Sequence, residues 1–140
     1  MRISVFIDSN VWFSAFYKKG SCSILLENVK LFGYKVFIFE LVVEEVIRNI
    51  QLKIPKVLPF FIKYLKENRI VVLKNPSSKL IVCHKELAEF EDLPIIFSAI
   101  KSKCEYFITG NIKDFNLTLI NKINKIKILS PIDFLKQINK

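Results

Sequence analysis

Short apolar stretches alternate along this chain with segments of helical period. Residues 2–7 (Arg-Ile-Ser-Val-Phe-Ile) are β-branched and aromatic and stop at Asp8-Ser9-Asn10, which predicts a buried strand running into a turn. Apolar residues then recur at helical spacing from Val11 to Tyr17 and from Ser21 to Phe32, around Lys18-Lys19-Gly20, with Gly33 as a helix stop. Tyr34 to Phe39 predicts a second strand. Glu40 to Leu52 carries Val42, Val43, Val46, Ile47 and Ile50 on one face, an amphipathic helix, and Pro55 to Glu67 continues as a further helix whose start is marked by Pro. Ile70 to Leu73 predicts a third strand, closed by Asn75-Pro76-Ser77-Ser78. Helices follow over Lys79–Glu89 and Leu93–Lys103, the latter with Asp92 as N-cap and Pro94 in its first turn. Tyr106 to Thr109 is a fourth strand ending at Gly110. A short helix or turn begins near Asn111, and Ile126 to Leu129 is a fifth strand. Ser130 caps a last helix with Pro131 at its first position.

Strands of this kind alternating with helices predict an α/β fold: a three-layer α/β/α sandwich around a central, mainly parallel sheet of about five strands. No repeat, low-complexity tract or linker divides the chain, so residues 1–140 are expected to form one domain. In such a sheet, ligands bind in the crevice beyond the carboxyl ends of the strands.

Composition narrows the class. Residues of the AVILMFWYC set make up 51% of the 140 and charged residues 25%, which supports a packed core and argues against a disordered tail. The 22 Lys and Arg exceed the 13 Asp and Glu by nine, a balance that suits a polyanionic partner such as nucleic acid, or else reflects Lys used for solubility. Cys22, Cys83 and Cys104 are widely spaced and unaccompanied by a His cluster, so no zinc site or disulfide framework is expected. Free thiols, no signal-peptide pattern and charges that interrupt every apolar run lead to the expectation of a cytoplasmic protein without a membrane partner.

Several acids fall at unusual points. Asp8 ends the first strand, Asp92 opens a core-like helix, and Asn111 and Asp114 follow the fourth strand. With parallel strands, Asp8 and the Asn111/Asp114 pair emerge at one edge of the sheet, and Asp92 can face it too. Carboxylates gathered in a poorly solvated cleft repel one another, and a hard divalent cation such as Mg²⁺ or Mn²⁺ relieves this. Each position also has a plainer reading: Asp8-Ser9-Asn10 as a turn, Asp92 as a helix cap, Thr109-Gly110-Asn111 as a strand-ending turn, Asp114 as a surface residue. Glu44 and Glu45 lie on opposite flanks of the apolar face of their helix, and periodicity does not choose between them.

Taken in order, Val5-Phe6-Ile7-Asp8-Ser9-Asn10-Val11, Val43-Glu44-Glu45-Val46, Asp92-Leu93-Pro94-Ile95-Ile96-Phe97-Ser98-Ala99-Ile100, Tyr106-Phe107-Ile108-Thr109-Gly110-Asn111 and Leu129-Ser130-Pro131 resemble the PIN-domain family, and a chain of this size is similar to the toxin halves of VapC-type toxin–antitoxin pairs. The resemblance spans nearly the whole chain. It implies a metal-dependent endoribonuclease in which Asp8, Glu45 and Asp92, joined by Asp114, hold Mg²⁺ or Mn²⁺, Asn10 supports the first acid, and Thr109 stands beside the last acidic position. The chain departs from the pattern at Asn111, where many members carry Asp; an amide oxygen there costs the site one charge, which Asp114 restores if a helix begins at this point.

The mechanism so implied needs no His, Ser or Cys nucleophile, because ions lower the pKa of a bound water and polarise the phosphodiester. That agrees with a chain that has a single His84 and no GxSxG, Walker or GxGxxG pattern. Lys18, Lys19 and Arg48 are candidates for RNA phosphate contacts, and Trp12, Phe13, Phe16 and Tyr17 for base stacking or packing. As a toxin the chain is expected to have an antitoxin that covers the site and to form a homodimer. The alternative is a catalytically silent PIN-like module that binds RNA or a protein; a phosphoacceptor receiver ranks lower, since Asp8 has no acidic neighbour.

Overall fold

The computed structural model describes residues 3–74, 104–115 and 126–138, apart from the side chain of Asp114. The helices expected over Lys79–Glu89 and Leu93–Lys103, and with them Cys83, His84 and Asp92, lie outside the described residues.

Five strands form the centre: β1 (Ser4–Ile7), β2 (Lys35–Phe39), β3 (Val71–Leu73), β4 (Tyr106–Ile108) and β5 (Lys127–Leu129). All pairings are parallel, in the order β3-β2-β1-β4-β5. The composition of the middle strands explains the placement. Val5, Phe6 and Ile7 are fully buried on both faces, as are Ile38 and Phe107, and only a strand covered on both sides can be apolar without alternation. At the β3 edge, Val72 is half exposed. Phe6 pairs with Phe107 in register, and their rings stack with centroids 5.5 Å apart.

The helices among the described residues are α1 (Ser9–Tyr17), α2 (Ser21–Leu31), α3 (Glu40–Lys53), α4 (Leu58–Glu67) and α5 (Pro131–Ile138), and the sheet has a three-layer α/β/α architecture. Two expectations change. Ser9 and Asn10 open α1 instead of forming a turn, because Asp8 caps the helix with its own side chain. The helix expected from Pro55 is a 3₁₀ turn, Pro55–Val57, followed by α4. Pro59 is the reason: it has no N–H to offer the Pro55 carbonyl and its ring would collide with it, so the α-helix restarts with Pro59 in its first turn. Trp12 is fully buried, donates from Nε1 to the Ile7 carbonyl at 3.1 Å, and meets Phe61 and Tyr64 edge-on. Its ring is therefore a packing element that ties α1 to α4, not a surface for base stacking. Tyr17, at the far end of α1, is exposed.

The chain steps from β1 to β2 to β3 in one direction, then returns to place β4 on the other side of β1. The gap beyond the carboxyl ends of β1 and β4 is thus the point where the strand order reverses, where α/β sheets leave a crevice. Asp8 and Thr109 are the next residues after those two strands.

Candidate metal and nucleic-acid site

Asp8 follows three buried residues and is itself 2% exposed; Thr109 is fully buried. The Asp8 amide donates to the Ile108 carbonyl at 2.9 Å, extending the β1–β4 ladder and locking the two positions side by side. One carboxylate oxygen of Asp8, Oδ1, accepts from the Ser9 amide at 2.8 Å; the other, Oδ2, accepts from the Thr109 hydroxyl at 2.8 Å. That hydroxyl in turn accepts from the Asn111 amide at 3.1 Å. With its lone pair engaged by Asn111, the hydroxyl proton has to aim at Asp8, so a β-hydroxyl residue is required here and an isosteric Val would not serve.

Asn10 closes the arrangement. Its Oδ1 accepts from the Gly110 amide at 2.9 Å, which turns its Nδ2 toward Asp8 Oδ2, at 3.5 Å. A side chain at residue 110 would put its Cβ 3.2 Å from Asn10 Oδ1, so glycine permits the close approach. The turn after β1 and the turn after β4 are clamped together by side chains, and both face the crevice.

Burial pushes the Asp8 carboxyl above its ordinary value; the Thr109 and Ser9 hydrogen bonds pull it down, and the negative charge of Glu45 adds to the upward shift. Glu45 is therefore close enough to act on Asp8. The structure also separates it from its neighbour: Glu45 is half-buried, whereas Glu44 is exposed. The buried stripe of α3 is Val42, Val46 and Ile50, one turn apart, and it is centred further from Val43 than the sequence pattern indicates. On a helix of 3.6 residues per turn that stripe leaves Glu45 at its flank and Glu44 on the far side.

The sequence-expected residues thus divide. Asp8, Asn10, Thr109 and Asn111 form one hydrogen-bonded network, and the charge of Glu45 reaches Asp8 within it. Asp114 ends a 3₁₀ turn, Ile112–Asp114, that follows Asn111. Arg48 is exposed one turn beyond Glu45 on α3, and Lys18 and Lys19 are exposed past the end of α1, about 15 Å along the helix axis from Asp8. Among the described residues no three His, Cys, Asp or Glu side chains come together as a metal-binding group. Two contributors were not singled out in the sequence: Ser9, whose amide and hydroxyl both bond the Asp8 carboxylate, and Gly110, whose missing side chain lets Asn10 in. The signal for Ser9 was its place directly after a strand-terminal Asp.

No family profile matches the sequence, and no curated protein sequence does either. Solved structures do. VapBC2 from Rickettsia felis, crystallised bound to a DNA fragment from its promoter, superposes with a TM-score of 0.64 at 16% identity, over 91% of this chain and 98% of that one. PAE2754 from Pyrobaculum aerophilum superposes with a TM-score of 0.63 at 15% identity, over 99% of this chain and 97% of that one. At such identities the likeness is one of backbone architecture, and with the all-parallel five-stranded order it gives the chain a PIN-like α/β/α fold.

Proposed function

We propose that the chain is a metal-dependent endoribonuclease that hydrolyses RNA phosphodiester bonds, and that it is the toxin of a prokaryotic toxin–antitoxin pair. The observation that carries this reading is Asp8: a buried carboxylate at the reversal point of the sheet, fixed in orientation by Thr109 and Ser9, and burdened by a second acid, Glu45. Such a group calls for a cation. The donors to the Asp8 carboxylate are neutral (the Ser9 amide and hydroxyl, the Thr109 hydroxyl and the long approach of Asn10), and among the described residues no Lys or Arg pairs with it, which leaves its charge for a hard ion to balance. Asp8, Glu45, Asp92, Asn111 and Asp114 would hold Mg²⁺ or Mn²⁺. When bound, the ion would lower the pKa of a water and polarise the scissile phosphate.

The chain's own residues supply the rest. Thr109 and Asn10 hold Asp8 in place, and Arg48, Lys18 and Lys19 would meet phosphates flanking the cut, a contact type that depends steeply on salt and little on sequence. The surplus of nine positive charges supports a polyanionic substrate. The likeness to VapBC2 supports the toxin–antitoxin assignment; on that reading an antitoxin would cover the Asp8 edge, and the chain would form a homodimer and act in the cytoplasm. No helix among the described residues is long and apolar enough to cross a membrane.

Asn111 favours a second reading, a silent PIN-like module that binds RNA or a protein without cutting it, since an amide at that position removes a charge from the site. Single-stranded RNA incubated with the protein in Mn²⁺ or Mg²⁺, and in EDTA, decides between them. Cleavage that needs the metal and vanishes in Asp8→Asn is the expected result; binding without cleavage in either metal contradicts the nuclease.

A further inference from the structure

The end of the sheet opposite Asp8 holds a cleft of about 250 Å³, between the last residues of α2 and α4 and the first of β2 and β3. Lys30, Lys35 and Arg69 line it together with Tyr34, Tyr64 and Asn68; among the described residues no carboxylate lines it, and Glu105 acts only through its field on Tyr34. Among the described residues none of those three cations forms an ion pair; Lys63 and Glu67 do, on the outside of α4.

Two helices end at this cleft in the same way and differ in one residue. After α2, the Tyr34 amide bonds the Val29 carbonyl at 2.9 Å and the Gly33 amide bonds Lys30 at 3.2 Å, with Gly33 at φ 69°. After α4, the Ile70 amide bonds the Leu65 carbonyl at 3.3 Å across Arg69, at φ 52°. Both are the left-handed helix stop that glycine enters without steric cost and arginine does not. The backbone alone would favour Gly at residue 69, yet the residue present brings a guanidinium to the cleft wall. Helix ends explain part of the positive charge: each C-terminus carries roughly half a negative charge, about one unit for the two, against three cations. Lys35 spends part of its field on the Phe37 ring, 5.2 Å away, and the Tyr64 phenol, which donates to the Leu26 carbonyl, offers a neutral wall.

We propose that this cleft binds a phosphate group, presented by a free phosphate or mononucleotide or by an RNA phosphodiester. Lys35 pairs with Ser4, four residues before Asp8, so the cleft lies about 13 Å along the strand from Asp8 and holds a different phosphate from any that reaches that residue.

Binding is measured with the full chain in EDTA, using inorganic phosphate and AMP by calorimetry and a labelled single-stranded RNA by anisotropy over a range of salt. Arg69→Gly keeps the left-handed turn and removes the cation, and Lys35→Ala is the second variant. The expected result is saturable binding of at least one probe, weakened about tenfold by each variant, with the unfolding temperature of Arg69→Gly no lower than that of the unsubstituted chain. For RNA, the salt slope should fall by about 0.7 with each cation removed. Weakening with phosphate and AMP assigns the free ligand, and weakening confined to RNA assigns the phosphodiester. No saturable binding of any probe, or variants that bind as the unsubstituted chain does, overturns the proposal. Because EDTA stops metal-dependent cleavage, this outcome is independent of the nuclease reading.

Discussion

The two ends of the sheet carry opposite electrostatics. At the carboxyl end, a buried carboxylate is held by the Thr109 and Ser9 hydroxyls, the Ser9 amide and a distant side-chain amide, with a second acid nearby. At the amino end, three cations stand around a cleft that no acid among the described residues lines. The surplus of positive charge is thus not a uniform coating. It leaves one end of the sheet available to a cation and gives the other a field suited to an anion. The carboxyl end is the more constrained of the two: the Thr109–Asp8 and Gly110–Asn10 hydrogen bonds join the turn after β1 to the turn after β4, and the Asp8 amide extends the ladder between the strands, so its geometry is tied to the sheet itself. The amino end depends on helix stops, one of which is occupied by a residue that the backbone alone would not favour.

The largest expected effect breaks the carboxyl end. Asp8→Asn keeps the shape of the side chain and removes its charge, and metal-dependent RNA cleavage should fall by about a thousandfold or more in single-turnover assays. The same variant should unfold, without divalent ions, at a temperature equal to or above that of the unsubstituted protein, because an uncompensated buried charge is gone. Thr109→Val comes next. It leaves the Asn111 amide without its acceptor and Asp8 without its donor, and should cost about 1–3 kcal/mol of stability and about 10–100-fold in metal affinity, with Thr109→Ser retaining both, as checked by thermal melts and Mn²⁺ titration.

Glu45→Gln and Glu44→Gln sharpen the assignment within α3. The first should lower the titration midpoint of the Asp8 carboxyl, followed by carboxyl-carbon NMR, and reduce cleavage; the second should do neither, since Glu44 faces solvent. The pH dependence has a definite sign. Asp8 in the folded protein holds its proton above the ordinary value near 3.8, so the native state binds more protons than the unfolded chain across that interval. Stability contributed by Asp8 is present below the ordinary value and is lost as pH rises toward the raised one; Mg²⁺ or Mn²⁺ should restore it above that pH, and the slope should be absent in Asp8→Asn. The smallest effect belongs to the amino end. Arg69→Gly should raise stability by about 1 kcal/mol or less through the relieved left-handed backbone.

The sequence reveals much of this fold for a simple reason. In a parallel sheet the strands are apolar throughout, so residues 2–7, Tyr34–Phe39 and Tyr106–Thr109 stand out against their polar surroundings, and an Asp directly after one of them is conspicuous. Asp8 and Thr109 were legible for that reason. Glu45 was not legible from periodicity, because Val43 and Ile47 are half-buried apolar residues that draw the apparent centre of the face away from Val42, Val46 and Ile50. Pro59 hid a helix restart, since a proline in the first turn and a proline inside a helix look alike until the start is known. Gly110 and Arg69 act through contacts and backbone angles that depend on a partner far along the chain or on the exact helix stop, which local pattern does not encode.

If the buried Asp8 carboxylate is a cation site, that one charge decides whether a divalent ion binds. Mn²⁺ is titrated calorimetrically, without RNA, into the unsubstituted chain, Asp8→Asn and Glu44→Gln. Saturable binding is expected for the unsubstituted chain and Glu44→Gln and is expected to be lost in Asp8→Asn; equal binding by Asp8→Asn would mean that Asp8 holds no ion.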